Sequence, residues 1–150
     1  MSDEISGRFD ASRKNGAQSY HDLLVWQKSM ALAREIYKIT ADFPSEEKFG
    51  LISQMRRAAV SVPSNIAEGQ ARNTTGEFVQ FISHAEGSMA ELDTQLMLAV
   101  DLDFLSSEKA KSCLDSIAEL RRMLNGLRRA ITSQRLPTRH SSLITHHYEK

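Results

Sequence analysis

Arg135 and His140 stand in an Arg-x-x-x-x-His spacing that some small helical ribonucleases use, with a cation to hold a phosphodiester and an imidazole to move its proton. Pro137 falls between them, in a stretch with no apolar periodicity to fix either side chain. Positioning supplies the larger part of such catalysis, so the spacing reads as coincidence and an RNase is the most distant alternative. Metal chemistry fares no better. A di-iron helical bundle takes a Glu from each of two helices and a Glu-x-x-His from each of the other two. Here Phe81 stands three residues before His84, and the chain contains neither His-Glu-x-x-His nor Cys-x-x-Cys. Cys113, the single cysteine, sits on an apolar helical seam with Lys109 and Lys111 on other faces, which describes a buried, inert thiol. The expectation is no catalytic residue, no metal, no cofactor and no small-molecule substrate.

Polar residues at helical spacing ask for partners instead. Gln54, Arg57, Ser61, Ser64, Asn65 and Glu68 recur every three or four residues beside an apolar stripe of Leu51, Met55, Ala59, Val62 and Ile66. A second seam, Glu77, His84, Ser88, Glu91 and Gln95, runs beside another apolar stripe. An antiparallel hairpin turning near Arg72 and Asn73 sets Gln54 and Arg57 level with Glu91 and Ser88, Ser61 with His84, and Glu68 with Glu77, bringing Arg57 to Glu91. Two readings stand: a ligand or nucleic-acid site along the hairpin, or a hydrogen-bonded network between helices or at a subunit interface. The network is favoured, because buried polar groups are normally paired and often fix register. It predicts that Arg57, Asn65, Glu68 and Glu91 are at least partly buried.

The formal charge of zero hides a division along the chain. Between Asn73 and Glu108 there is no Lys or Arg, while Glu77, Glu86, Glu91, Asp93, Asp101, Asp103 and Glu108 are acidic. Between Leu120 and Tyr148 there is no Asp or Glu, while Arg121, Arg122, Arg128, Arg129, Arg135 and Arg139 are cationic. The first four of these arginines share a helical sector about 120° wide and form, with the last two, a candidate nucleic-acid face. No aromatic residues accompany them, so binding there would be directed at the backbone and sensitive to salt. The competing reading pairs Arg121 and Arg128 with Glu86 and Asp93, within or between subunits.

These residues need rigid elements to hold them. One domain fits 150 residues, a length that buries a core without staples. The polar stretch 1–20 reads as a flexible arm and 134–150 as a flexible tail, leaving 21–133 for an all-α, antiparallel, up-down-up-down four-helix bundle. A first helix from Asp22 to Asp42 carries two apolar stripes, Trp26, Met30, Ala33, Tyr37, Thr40 and Val25, Leu32, Ile36, Ile39, Phe43, so a wide face that must be well covered. Phe43-Pro44-Ser45 breaks the chain, with Ser45 capping a second helix that Pro63 kinks after Ala59. Thr74 to Glu77 forms a capping box for a third, and Ser106 caps a fourth reaching about Ile131. The first twenty residues lack an apolar signal core, and no run approaches the roughly 20 residues that span a bilayer. A cytoplasmic protein without membrane contact is expected.

From Asp22 to about Ile131 the chain resembles the bacterial four-helix-bundle proteins named for intervening sequences in 23S ribosomal RNA genes. The blocks that carry this are Leu23 to Lys28, Phe43 to Glu47, Gln54 to Ala59, Ser64-Asn65-Ile66-Ala67-Glu68-Gly69 and Gly87 to Leu92. The accessory variability proteins of diversity-generating retroelements are similar; they assemble as pentameric barrels that bind nucleic acid and a reverse transcriptase. The resemblance implies a homo-oligomer, most simply a pentamer, with the motif residues at an interface or in a polar network. Those retroelement proteins are strongly basic, whereas this chain is neutral with an acidic third helix, so the resemblance carries assembly further than nucleic-acid binding. The leading expectation is a non-enzymatic homo-oligomeric scaffold or accessory protein whose basic face takes RNA or an RNA-handling partner. The alternative is a protein-interaction module with no nucleic-acid binding.

Overall fold

The computed structural model describes residues 19–20 and 23–134. The expected arm and tail, with Arg135, Arg139 and His140, lie almost wholly outside them. Among the described residues there are four α-helices: α1 (Leu24–Thr40), α2 (Leu51–Gln70), α3 (Thr75–Asp101) and α4 (Ser107–Gln134). Each packs on its neighbours in sequence and α1 also packs on α4, which closes the antiparallel bundle.

The apolar stripes account for the core. Leu51, Met55, Ala59, Val62 and Ile66 of α2, Ile82, Ala85, Met89, Leu92, Leu96 and Ala99 of α3, and Ala110, Cys113, Ile117, Leu120 and Leu124 of α4 are all buried. Each large side chain so removed from water contributes about 1.5–3 kcal/mol, which explains a stable core without a disulfide. The two stripes on α1 join this core unequally. Val25, Leu32 and Ile36 of one and Ala33 and Thr40 of the other are buried, while Met30 is half-buried and Tyr37 exposed. The wide face expected of the first helix is therefore covered in large part, with Tyr37 left to water.

The helix starts follow local chemistry. Thr74 Oγ1 accepts the Glu77 amide at 3.2 Å and donates to its carboxylate at 3.0 Å, a capping box closed through the hydroxyl. Ser106 Oγ accepts the Lys109 amide at 3.3 Å as the cap of α4. Ser45, by contrast, opens a 3-10 turn (Ser45–Glu47) rather than a helix. The α-helix begins six residues later, where Glu47 Oε1 accepts the Leu51 amide at 3.3 Å. The carboxylate reaches the first free amide of α2 and the serine does not.

α2 continues through Pro63, which is buried. Around the missing amide, polar side chains bond to the helix carbonyls: Ser64 Oγ donates to Val60 O and Asn65 Nδ2 to Ser61 O, each at 2.8 Å. At the other end, α3 closes with Phe104 N bonding back to Ala99 O at 2.9 Å and Asp103 N to Val100 O at 3.0 Å. Asp103 takes the left-handed conformation there (φ 62°), a position a helix more often gives to glycine.

Candidate functional site

The α2/α3 seam forms, but one turn away from its expected register. Ser61 Oγ lies 2.8 Å from Ser88 Oγ, and Asn65 Nδ2 donates to Ser61 Oγ at 2.9 Å. Ser61 thus stands level with Ser88 rather than His84. Gly69 is buried against α3 in this register: a Cβ there would meet Phe81 Cβ at 2.8 Å and Phe78 Cδ1 at 2.9 Å. Glycine at this point lets the aromatic pair of α3 seat against the α2 backbone.

The charged members of the seam do not join it within one chain. Arg57 and Glu91 are both exposed, and among the described residues they form no ion pair with each other. Their long side chains start from the outer edge of the seam, where water competes for them. Glu68 lies 3.9 Å from Arg72, Gln54 and Ser64 face solvent, and exposed His84 stacks beside Phe81 with ring centres 5.8 Å apart. Gln95 is only 6 % exposed. Its Nε2 donates to Glu91 Oε1 at 3.2 Å, while its own Oε1 has no hydrogen-bond partner among the described residues.

The basic face is half neutralised. Arg121 Nη2 donates to Asp93 Oδ2 at 3.3 Å. Arg128 clasps Glu86 with both Nη atoms, one of them 3.2 Å from Oε2. The two helices are antiparallel, so the pairs cross in sequence order: the earlier arginine takes the later acid. Arg122 and Arg129 remain exposed with no carboxylate partner among the described residues. Arg122 borders a shallow depression with Glu86, Arg121 and Asn125.

Two surfaces were not singled out by the sequence. Along α1 and α2 runs an open groove of about 560 Å³, lined by Met30, Ala33, Tyr37, Val60, Pro63 and Ala67, with Arg34 and Lys38 at its edge. Arg56 packs on the Tyr37 of this lining: its guanidinium lies 4.5 Å from the centre of the Tyr37 ring and donates to Thr40 Oγ1 at 2.9 Å. The second surface is the far end of α3, where Met97 (59 % exposed), Leu98 and Leu102 face water, with Phe49 (89 % exposed) in the facing turn. The signal for the groove was the second stripe of α1. The signal for the patch was the run Gln95 to Val100, apolar on more sides than one core stripe uses.

Cys113 is fully buried, and desolvation, then the nearby Glu35 charge, pushes its thiol up to about 12. Among the described residues no group of three His, Cys, Asp or Glu is placed to hold a metal ion, and no helix is long and apolar enough to cross a membrane.

Comparison with known proteins agrees with this architecture. No curated protein matches the chain. A crystal structure of a protein of unknown function from the S23 ribosomal protein family of Bacteroides thetaiotaomicron superposes with a TM-score of 0.64 at 21 % identity, covering 70 % of this chain and 98 % of that one. At that identity the likeness is one of fold. The sequence pattern described as 23S rRNA-intervening sequence protein matches residues 21–126, the bundle itself and well over half of the chain, so the chain belongs to the 23S rRNA-intervening sequence protein family.

Proposed function

We propose that the chain is a non-catalytic, self-assembling scaffold or accessory protein whose bundle faces bind further copies of itself. The observation that carries this is the exposure of large apolar side chains in two regions of the bundle: Tyr37 and Val60 at the groove, and Phe49 with Met97, Leu98 and Leu102 near the end of α3. Surfaces of this kind on a small protein mark interaction sites. The exposed Arg57, which has no carboxylate partner among the described residues, adds a charged group that a neighbouring chain would satisfy. Resemblance to pentameric retroelement accessory proteins makes five the expected number. Light scattering at micromolar concentration tests the reading: a mass of several chains supports it, and the mass of one chain, 16.9 kDa, contradicts it.

RNA binding is the second reading, favoured by one observation, the exposed Arg122 and Arg129. It ranks below assembly because Asp93 and Glu86 already neutralise Arg121 and Arg128. A ring would repeat the two free arginines in every subunit and so multiply a weak site. A mobility-shift assay at low salt, with structured and single-stranded RNA, separates the two readings.

A further inference from the structure

The first described residues stand at one end of the α1/α2 groove. Tyr20 and Trp26 both line that end, their ring centres 5.3 Å apart, and the Leu23 amide donates to Tyr20 O at 3.1 Å as the chain turns into α1. Residues 1–18 therefore join the bundle at the mouth of the groove. We propose that this N-terminal arm folds back along the groove of its own chain as a strap. Ile5 and Phe9 take the apolar lining, and Asp3, Glu4 and Asp10 lie beside Arg34 and Lys38.

Length permits the contact and sets its direction. From Trp26 to Lys38 the groove follows about 18 Å of helix. The ten residues from Tyr20 back to Asp10 can extend about 33 Å. The stretch farthest from Tyr20 thus comes to the far half of the groove, where Arg34 and Lys38 stand.

Charge and hydropathy select that stretch. Arg34 and Lys38, one turn apart, are exposed and have no carboxylate partner among the described residues. Residues 1–10 carry three side-chain carboxylates against one side-chain cation, Arg8, while Arg13 and Lys14 follow nearer the bundle. Ile5 and Phe9 lie between Glu4 and Asp10. Exposed Tyr37 and Val60, with half-buried Met30, offer them apolar surface. Their seating gives an apolar centre with a charged rim.

Tethering decides the occupant. A segment joined to its site by a short linker is present at an effective concentration on the order of millimolar, so the arm outcompetes a free partner of similar affinity. Any partner for the groove, another copy included, must first displace the strap, which makes the arm an autoinhibitory element. The strap does not rest on the self-assembly reading, because one chain supplies both sides of the contact.

A nitroxide on Ser6→Cys of the full chain tests the contact by nuclear magnetic resonance, with Cys113 buried away from the label. The proposal expects loss of the amide signals of Met30, Arg34, Tyr37 and Val60, while those of Glu86 and Arg122 on the α3/α4 face persist. No loss, or a loss spread evenly over the bundle, overturns it. Arg34→Glu with Lys38→Glu should restore the groove signals, and adding Asp3→Lys with Glu4→Lys should remove them again. Groove signals indifferent to either step overturn the proposal. If the groove variant does not fold by circular dichroism, Asp3→Lys with Glu4→Lys alone, outside the bundle, should restore the signals, and their continued loss overturns the proposal. Isotope-labelled chains without nitroxide, refolded with unlabelled chains that carry it, should keep their groove signals. Loss there means that the arm crosses to another copy, and overturns the strap.

Discussion

A methyl group on Gly69 would lie 2.8 Å from Phe81 Cβ, an atom anchored to the α3 backbone that no rotamer change can move aside. Overpacking of this kind costs about 1–3 kcal/mol, so Gly69→Ala should lower the unfolding free energy by about that amount, read as a lower urea midpoint at unchanged slope. An unchanged midpoint would show that α2 and α3 separate more easily than their contact suggests. Cys113 gives a second test at this scale. With the thiol pushed up to about 12 by burial and then by Glu35, almost no thiolate exists at pH 8, and the thiolate is the reactive form. A thiol reagent at pH 8 should leave the native protein unmodified and label one thiol per chain after denaturation. Rapid labelling of the native protein would mean that α4 opens locally.

Among the helices, the half-buried Arg128–Glu86 pair joins α3 to α4 with geometry that a surface pair rarely keeps. A double-mutant cycle with Arg128→Ala and Glu86→Ala should give a coupling of about 1 kcal/mol; a value near zero would leave Arg128 available to other anions. That pairing was legible in the sequence as one of two readings, since arginines and acids seven residues apart on neighbouring helices must meet if the helices are antiparallel. The core stripes and the caps at Thr74 and Ser106 were legible because helical periodicity and capping are local. The α2/α3 register was not, because it rests on contacts between helices, such as Gly69 against Phe78 and Phe81 and Ser61 against Ser88, that no spacing encodes. Ser45 does not cap α2 for a related reason: the 3-10 turn after Pro44 delays the helix, and its first amide, Leu51 N, goes to Glu47. The groove was not legible, because which apolar residues of α1 and α2 stay outside the core, Tyr37 and Val60 among them, depends on how the four helices pack.

Across the whole molecule, charge and apolar surface make opposite claims on the partner. If Arg122 and Arg129 bind RNA, affinity should fall steeply between low and physiological salt, with a slope set by the phosphates neutralised. Arg122→Glu with Arg129→Glu should abolish the complex, and should leave the fold intact because both side chains are exposed. Absence of any wild-type complex at low salt would leave assembly as the chain's sole interaction on this account. Assembly is the central claim, and native mass spectrometry of the intact protein tests it most directly. The account predicts one dominant species at an integer multiple of 16.9 kDa, five being the expected number. A spectrum holding only the 16.9 kDa chain at micromolar concentration would contradict it.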